Sequence, residues 1–231
     1  MEQGVGQAGG PDGVQVFFKS LNGRYKRIRK RCKGAPHPAV YDLKVEQLAE
    51  LERLSAAGGL DLFYGDESRV CSEGYVPYGW QFPDEAVHVP VERGHKVNIW
   101  GLISRDNRLA WATTEASIDA AFLLGELEKF SLQLHKPTVL VLDNASVHKA
   151  KIIQDQRLFW EQRGLYLFYL PTYSPHLNLA EVLWRKMKKE QIDPLDYATK
   201  DTLFLAVNRC LTQLGNSWKI SFSAFNAFST N

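Results

Sequence analysis

At 231 residues, 45% of them hydrophobic and 23% charged, the chain can hold one sizeable α/β domain plus an arm, but hardly two full domains. Its three cysteines, Cys32, Cys71 and Cys210, are far apart and lack CxxC spacing, so neither a zinc site nor a disulfide framework is indicated and a reducing compartment fits. No apolar run approaches the ~18 residues of a membrane span and the N-terminus lacks the apolar core of a signal peptide, so a cytoplasmic protein with no membrane partner is expected.

The net charge of +2 hides an asymmetry. Residues 19–33 hold Lys19, Arg24, Lys26, Arg27, Arg29, Lys30, Arg31 and Lys33 with no acid among them, which leaves a net −6 on the rest of the chain. A basic arm on a mildly acidic body suggests a polyanionic partner. A solvated helix is the plainer account of such a run, but eight cations without one acid favour phosphate contact.

Residues 1–18 are Gly-rich and polar without period, which reads as a disordered tail. After the basic cluster, Gly34-Ala35-Pro36-His37-Pro38 breaks any helix. Between residues 39 and 58, Leu43, Val45, Leu48, Leu51 and Leu54 recur at helical spacing, and Gly58-Gly59 ends that helix. Residues 60–66 read as a strand ending in the acid pair Asp66-Glu67. Residues 74–82, aromatic and glycine-rich, suit a hairpin or turn in which Trp80 either packs in the core or stacks on a base. Residues 96–104 and 108–114 form a strand pair turned by Arg105-Asp106-Asn107.

Ser117 opens an amphipathic helix reaching about Leu134, with Ile118, Ala121, Phe122, Leu127 and Phe130 on its apolar side. Residues 138–143 form a short, β-branched apolar run, as in a buried parallel strand. Ser146 is placed to cap a helix running from about 147 to 163. Trp160 and Phe159 on that helix, like Trp184 later, read as core. Residues 165–170 are another buried strand, 171–178 a Pro-containing loop, and helices follow from about 179 and over 200–214. The order predicts an α/β fold, a mixed sheet with antiparallel strands first and parallel strands later, flanked by helices.

In such a sheet the first and fourth strands are neighbours, so Asp66 and Asp143 end side by side, with Glu181 brought over them by the next helix. An acid at the end of a central strand sits where open α/β sheets place ligands, although a lone Asp more often caps a helix or holds a turn. Three such acids repel one another, by roughly 4 kcal/mol for a pair ~4 Å apart at an effective dielectric of 20. They need shared protons or bound cations, and hard oxygen ligands favour Mg2+ or Mn2+. Two ions together suit an in-line phosphoryl displacement.

Three segments carry a resemblance: Gly65-Asp66-Glu67-Ser68; Leu142-Asp143-Asn144-Ala145-Ser146-Val147-His148-Lys149; and residues 170–184, which include Ser174-Pro175-His176-Leu177-Asn178 and Glu181. Together they resemble the three motifs of DDE-type insertion-sequence transposases, in the bacterial branch related to mariner elements, over roughly residues 20–215. The resemblance implies a ribonuclease-H-like five-stranded sheet with a basic N-terminal arm and helix. It also implies DNA strand cleavage and strand transfer, two Mg2+ or Mn2+ ions, a homodimer on paired DNA ends, and a nucleoid-associated bacterial protein. It assigns Asp66, Asp143 and Glu181 as catalytic metal ligands, preferring Asp66 to its neighbour Glu67. Asn144, His148 and Asn178 become supporting residues, His148 otherwise being an ordinary surface helix histidine. Arg185, Lys188 and Lys189, on one helical face after Glu181, become DNA contacts with Arg24, Lys26, Arg27, Arg29, Lys30 and Arg31. The alternative for that face is a solvated one with a Glu181–Arg185 ion pair worth ~0.3–0.5 kcal/mol.

The implied organisation is a tail over 1–18, a basic arm and linker helix over 19–59, and a catalytic domain over 60–231. Relatives carry helix-turn-helix domains before the catalytic part, and residues 25–33 resemble only the end of such a region. His176 stands where the family commonly has Asp, and Leu179-Ala180 where it has Pro-Ile, so a less rigid loop is expected. A nuclease of the same fold that never joins DNA, or an inactive DNA-binding remnant, are the competing readings.

Overall fold

A computed structural model describes Ser20 and residues 37–73, 83–84, 88 and 91–225. The tail at 1–18, the cations at 24–31 and the turn at 74–82 with Trp80 lie outside the described residues. The chain divides into two units, Met1–Gly34 and Ala35–Asn231, and the second contains the sheet and its helices.

Five strands form one mixed sheet in the order β3-β2-β1-β4-β5, with β1 at Asp61–Cys71, β2 at Lys96–Ile103, β3 at Leu109–Thr114, β4 at Thr138–Leu142 and β5 at Leu165–Tyr169. The first and fourth strands are adjacent, as expected, and pair in parallel from Asp61↔Thr138 to Tyr64↔Val141. Every residue of β4 is buried, which is why its sequence shows no polar alternation. The antiparallel partner β2 joins β1 from Tyr64↔Ile103 to Cys71↔Lys96. So β1 is longer than its sequence suggests, and Asp66 and Glu67 lie mid-strand rather than at its end. They occupy the stretch where β1 has run past its parallel neighbour and keeps only its antiparallel one. A local acid pair does not stop a strand whose ladder is completed on the other side.

Two cores cover the sheet. Leu62, Tyr64, Ile99 and Val141 face one that includes Leu48, Leu183, Trp184, Leu203 and Val207. Phe63, Trp100, Leu102, Leu140 and Leu142 face the other, with Leu123, Leu127, Ile153 and Trp160. The helices contributing to the first are α1 (Pro38–Ala56), α4 (Leu179–Lys186) and α5 (Lys200–Gln213); α2 (Ala120–Ser131) and α3 (Lys151–Gln162) contribute to the second. Helix α1 therefore packs on the sheet through Val45 and Leu48, while Leu43 of its expected stripe is 54% exposed. Gly58, at φ 79°, ends it in the left-handed conformation that glycine adopts without steric cost.

Other boundaries shift for local reasons. Asp119, not Ser117, caps α2 by accepting the Phe122 N–H at 2.8 Å, and this turns Leu123 and Leu127 inward while Ala121 is exposed. The helix expected from 147 begins only at Lys151, without a side-chain cap, because residues 146–149 form a separate turn. Phe159 is 55% exposed, since the buried face of α3 is set by Ile153 and Trp160 seven residues apart. No helix among the described residues is long and apolar enough to cross a membrane.

Candidate active site

Alternation along β1 sends Asp66 and Glu67 to opposite faces, and the structure employs both. Asp66 turns toward α4, where its Oδ2 accepts the Trp184 indole N–H at 3.1 Å. Burial pushes the Asp66 carboxyl up to about 7, and the neighbouring charges of Glu181, Glu67 and Asp143 push in the same direction. Glu67, on the other face, accepts from His148 Nε2 at 3.0 Å, and His148 Nδ1 donates to Asp143 Oδ1 at 2.7 Å.

This places His148 differently from the surface helix position expected of it. It sits in the 146–149 turn, is 1% exposed and lies against the Trp100 ring, with centroids 5.7 Å apart. Burial alone would lower its pKa, but hydrogen bonds to Asp143 and Glu67 outweigh that and raise it to about 9. A protonated imidazole donating from both nitrogens is the form this pair of carboxylates requires. The hydrogen bond from His148 in turn holds Asp143 below the usual carboxylate range despite its burial, helped by the Ala145 N–H and Lys149.

Asn178 sets the third acid. Only 3% exposed, it caps α4 by accepting the Ala180 N–H at 3.0 Å, and it donates to the Gly65 carbonyl, also at 3.0 Å. One amide thus fixes the start of the helix that carries Glu181 to the residue before Asp66. Asn144 donates to the Leu170 carbonyl and so joins the loops that follow β4 and β5. His176 is not simply a missing acid: its Nε2 pairs with Tyr41 Oη at 3.0 Å, tying the loop to α1.

Asp66, Asp143 and Glu181 line one cavity of about 410 Å³, together with Asn144, Asn178 and the loop from Leu170 to Pro175. The expected acids are therefore brought together around a common space. Among the described residues, however, no three His, Cys, Asp or Glu side chains are clustered tightly enough to grip an ion as they stand. What the cavity presents is a set of hard carboxylate oxygens, with Asp66 pushed up first by burial and then by the other acids. That donor chemistry fits a divalent cation of the magnesium type and does not fit a soft metal.

The cations after Glu181 do not share one regular helical face, because the backbone widens into a π turn over Met187–Gln191. Arg185 is exposed and makes no ion pair with Glu181 among the described residues; the pair formed there is Lys186–Glu190, at 3.2 Å. Of these cations, Lys188 lies close enough to Glu181 and Asp66 to feel their charge. Burial lowers its pKa, and the proximity of Glu181, Cys71 and Asp66 works against that lowering. Sequence reasoning missed Trp184 as a partner of Asp66. The signal was Gly101 in the middle of an apolar strand, for a Cβ there would come within 2.6 Å of the Trp184 ring.

Comparisons with known proteins agree with this geometry. The chain is similar to the Mos1 mariner transposase in its paired-end complex with Mg, at 14% identity and a TM-score of 0.58 over 90% of this chain and 68% of that one. It is similar to the corresponding complex with Mn at 14% identity and a TM-score of 0.57, with the same coverage. The Mos1 strand transfer complex matches at 13% identity and a TM-score of 0.52, covering 90% of this chain and 67% of that one. Such identities show the fold, a ribonuclease-H-like sheet flanked by helices. A search of curated protein sequences found no match. The profile of the DDE superfamily endonucleases matches residues 61–203, a span that holds Asp66, Asp143 and Glu181 and exceeds half the chain, and the chain belongs to that family.

Proposed function

We propose that the chain is the catalytic part of a DNA transposase, performing cleavage and strand transfer at the 410 Å³ cavity. The observation that carries this reading is the convergence of Asp66, Asp143 and Glu181 on that cavity from three separate elements. Two Mg2+ or Mn2+ ions, held by these three acids, would supply the charge that activates an attacking oxygen and neutralises the leaving one.

The chain's own residues prepare the carboxylates for that task. Trp184 fixes one oxygen of Asp66, and His148, clamped from behind by Glu67, fixes one oxygen of Asp143. Asn178 holds Glu181 in register with them by anchoring α4 on β1. In the reaction, water displaces the 3′-oxygen of a phosphodiester at the element end, and the freed 3′-hydroxyl then displaces another 3′-oxygen in target DNA. Lys188 and Arg185 would hold phosphates near the acids, and the cations at 24–31 would hold DNA farther away.

The domain division is proposed on the same grounds: a tail over 1–18, a basic arm and linker helix over 19–59, and a catalytic domain over 60–231. The similar Mos1 structures are paired-end and strand transfer complexes, which supports DNA as partner and a homodimer on paired ends. Action on a bacterial nucleoid, in the cytoplasm, is part of the same proposal. The test supplies a pre-cut DNA end and a target duplex with Mn2+. Joined products from the wild type and none from Asp143→Ala support the reading. Cut but never joined DNA would make the chain a nuclease, and no product at all an inactive remnant.

A further inference from the structure

On the β1 face opposite to Asp66 lies a second cavity, of about 400 Å³, lined by Glu67, Ser68, Arg69, Asn98, Ser117 and Ile118. Its cation is Arg69, two residues along the strand from Glu67 and on the same face, hence about 7 Å away by strand rise. Directly across the ladder stands Asn98, paired in register with Arg69 and only 4% exposed. The Asn98 amide is fully committed. Its Nδ2 donates to the carbonyls of Glu115 at 3.4 Å and Ala116 at 2.8 Å, and its Oδ1 accepts from Arg69 Nε at 3.0 Å.

A buried asparagine in an otherwise apolar strand is costly unless its bonds are all made. Here they are made, and their effect is to pin a guanidinium by its Nε. Among the described residues, the other four guanidinium donors, on the two terminal nitrogens, find no partner and form a fork suited to two oxygens of one anion. The acids best placed to neutralise it are engaged elsewhere. Glu67 accepts from His148, and Glu115 pairs with Lys200 at 2.7 Å. Among the described residues no carboxylate forms an ion pair with Arg69.

We infer that Arg69 is a phosphate-binding residue, oriented by Asn98 to take a DNA phosphodiester beside the acid cluster, on the side of the sheet away from Glu181. This rests on the proposed action on DNA and assigns a substrate contact that neither the motifs nor the basic segments contain. Beyond Tyr64 β1 pairs with β2 alone, so Asp66 and Arg69 lie on the same four-residue stretch of strand, on its two faces.

The test measures equilibrium binding of the full chain to a short duplex between 50 and 200 mM salt, for wild type, Arg69→Ala and Arg69→Lys. Loss of one phosphate contact lowers the salt slope by about 0.9, so over this range the wild type should lose about 3.5-fold more affinity than Arg69→Ala. Arg69→Lys should keep the slope and bind more weakly than wild type, because it keeps the charge and loses the fork. Its retained cation also guards against misreading a folding defect in Arg69→Ala. If the wild type binds DNA with a salt-dependent slope and both variants match it, the assignment of Arg69 is overturned and the functional reading survives. If the wild type binds no DNA, both fall.

Discussion

Replacing Gly101, the cross-strand partner of Asp66 on β2, with alanine should disable the first acid from the neighbouring strand. The new Cβ would lie 2.6 Å from Trp184 Cη2 and 3.0 Å from Cζ2. Carbon atoms in contact sit about 3.5–4.0 Å apart, so the indole must retreat by about 1 Å. Trp184 is 3% exposed, so its ring can retreat only against packed neighbours. Overpacking of this kind costs about 1–3 kcal/mol. The retreat also stretches the 3.1 Å bond from Trp184 to Asp66 beyond hydrogen-bonding range, and a bond to a charged group is worth about 1.5–3 kcal/mol. A combined loss of about 3 kcal/mol lowers the melting temperature by roughly 6–12 °C for a domain of this size. A double-mutant cycle isolates the cause. In Trp184→Phe the clashing atoms are gone, so Gly101→Ala should cost less than about 1 kcal/mol there and the coupling should be about 2 kcal/mol. Equal costs of Gly101→Ala in both backgrounds, measured by urea unfolding, would refute the reasoning.

Asp61 gives a pH prediction. The hydrogen bond from Arg108 holds it down to about 2 against the effect of burial, with Lys136 adding to the pull. A depressed carboxylate stabilises the fold above pH ~4, and that stability is lost as pH falls toward 2. Because Arg108 and Lys136 are 47% and 39% exposed, the contribution is about 1–2 kcal/mol, and Asp61→Asn should abolish this part of the acid transition in urea melts. Asn178→Ala removes the α4 cap and leaves the Gly65 carbonyl unpaired, for about 2–4 kcal/mol by chemical denaturation, and should lower DNA cleavage further than stability alone explains. Glu67→Gln should leave the chain folded yet weaken Mn2+-induced thermal stabilisation, because His148 loses the carboxylate behind it; an unchanged Mn2+ midpoint would show that Asp143 is held without it.

The strands and the flanking helices were legible because burial leaves short-range patterns, most plainly in the all-apolar β4. The acids were legible because a motif fixes their order along the chain. What escaped depended on partners distant in sequence. Trp184 reads as core on an amphipathic helix, and its polar partner lies 118 residues earlier. His148 looked solvent-facing because the helix was expected to start before it, whereas an intervening turn drives the imidazole under Glu67. The cations after Glu181 were assigned by helical spacing, and the π turn breaks the rule on which that spacing depends.

The linker helix α1 also has a mechanical side. Near its start Tyr41 is bonded to His176 in the loop walling the cavity, and near its end Glu52 takes Arg105 at 2.6 Å and the hydroxyl of Tyr64. Eleven residues of helix, about 16 Å, separate these two attachments, which make α1 a strut bolted to the sheet's hairpin end and to the cavity rim. The far attachment, with its partly buried ion pair, is the firmer of the two. With Val45 and Leu48 seated in the core between them, a tilt of α1 would break the single Tyr41–His176 bond at the cavity rim before the paired contacts of Glu52.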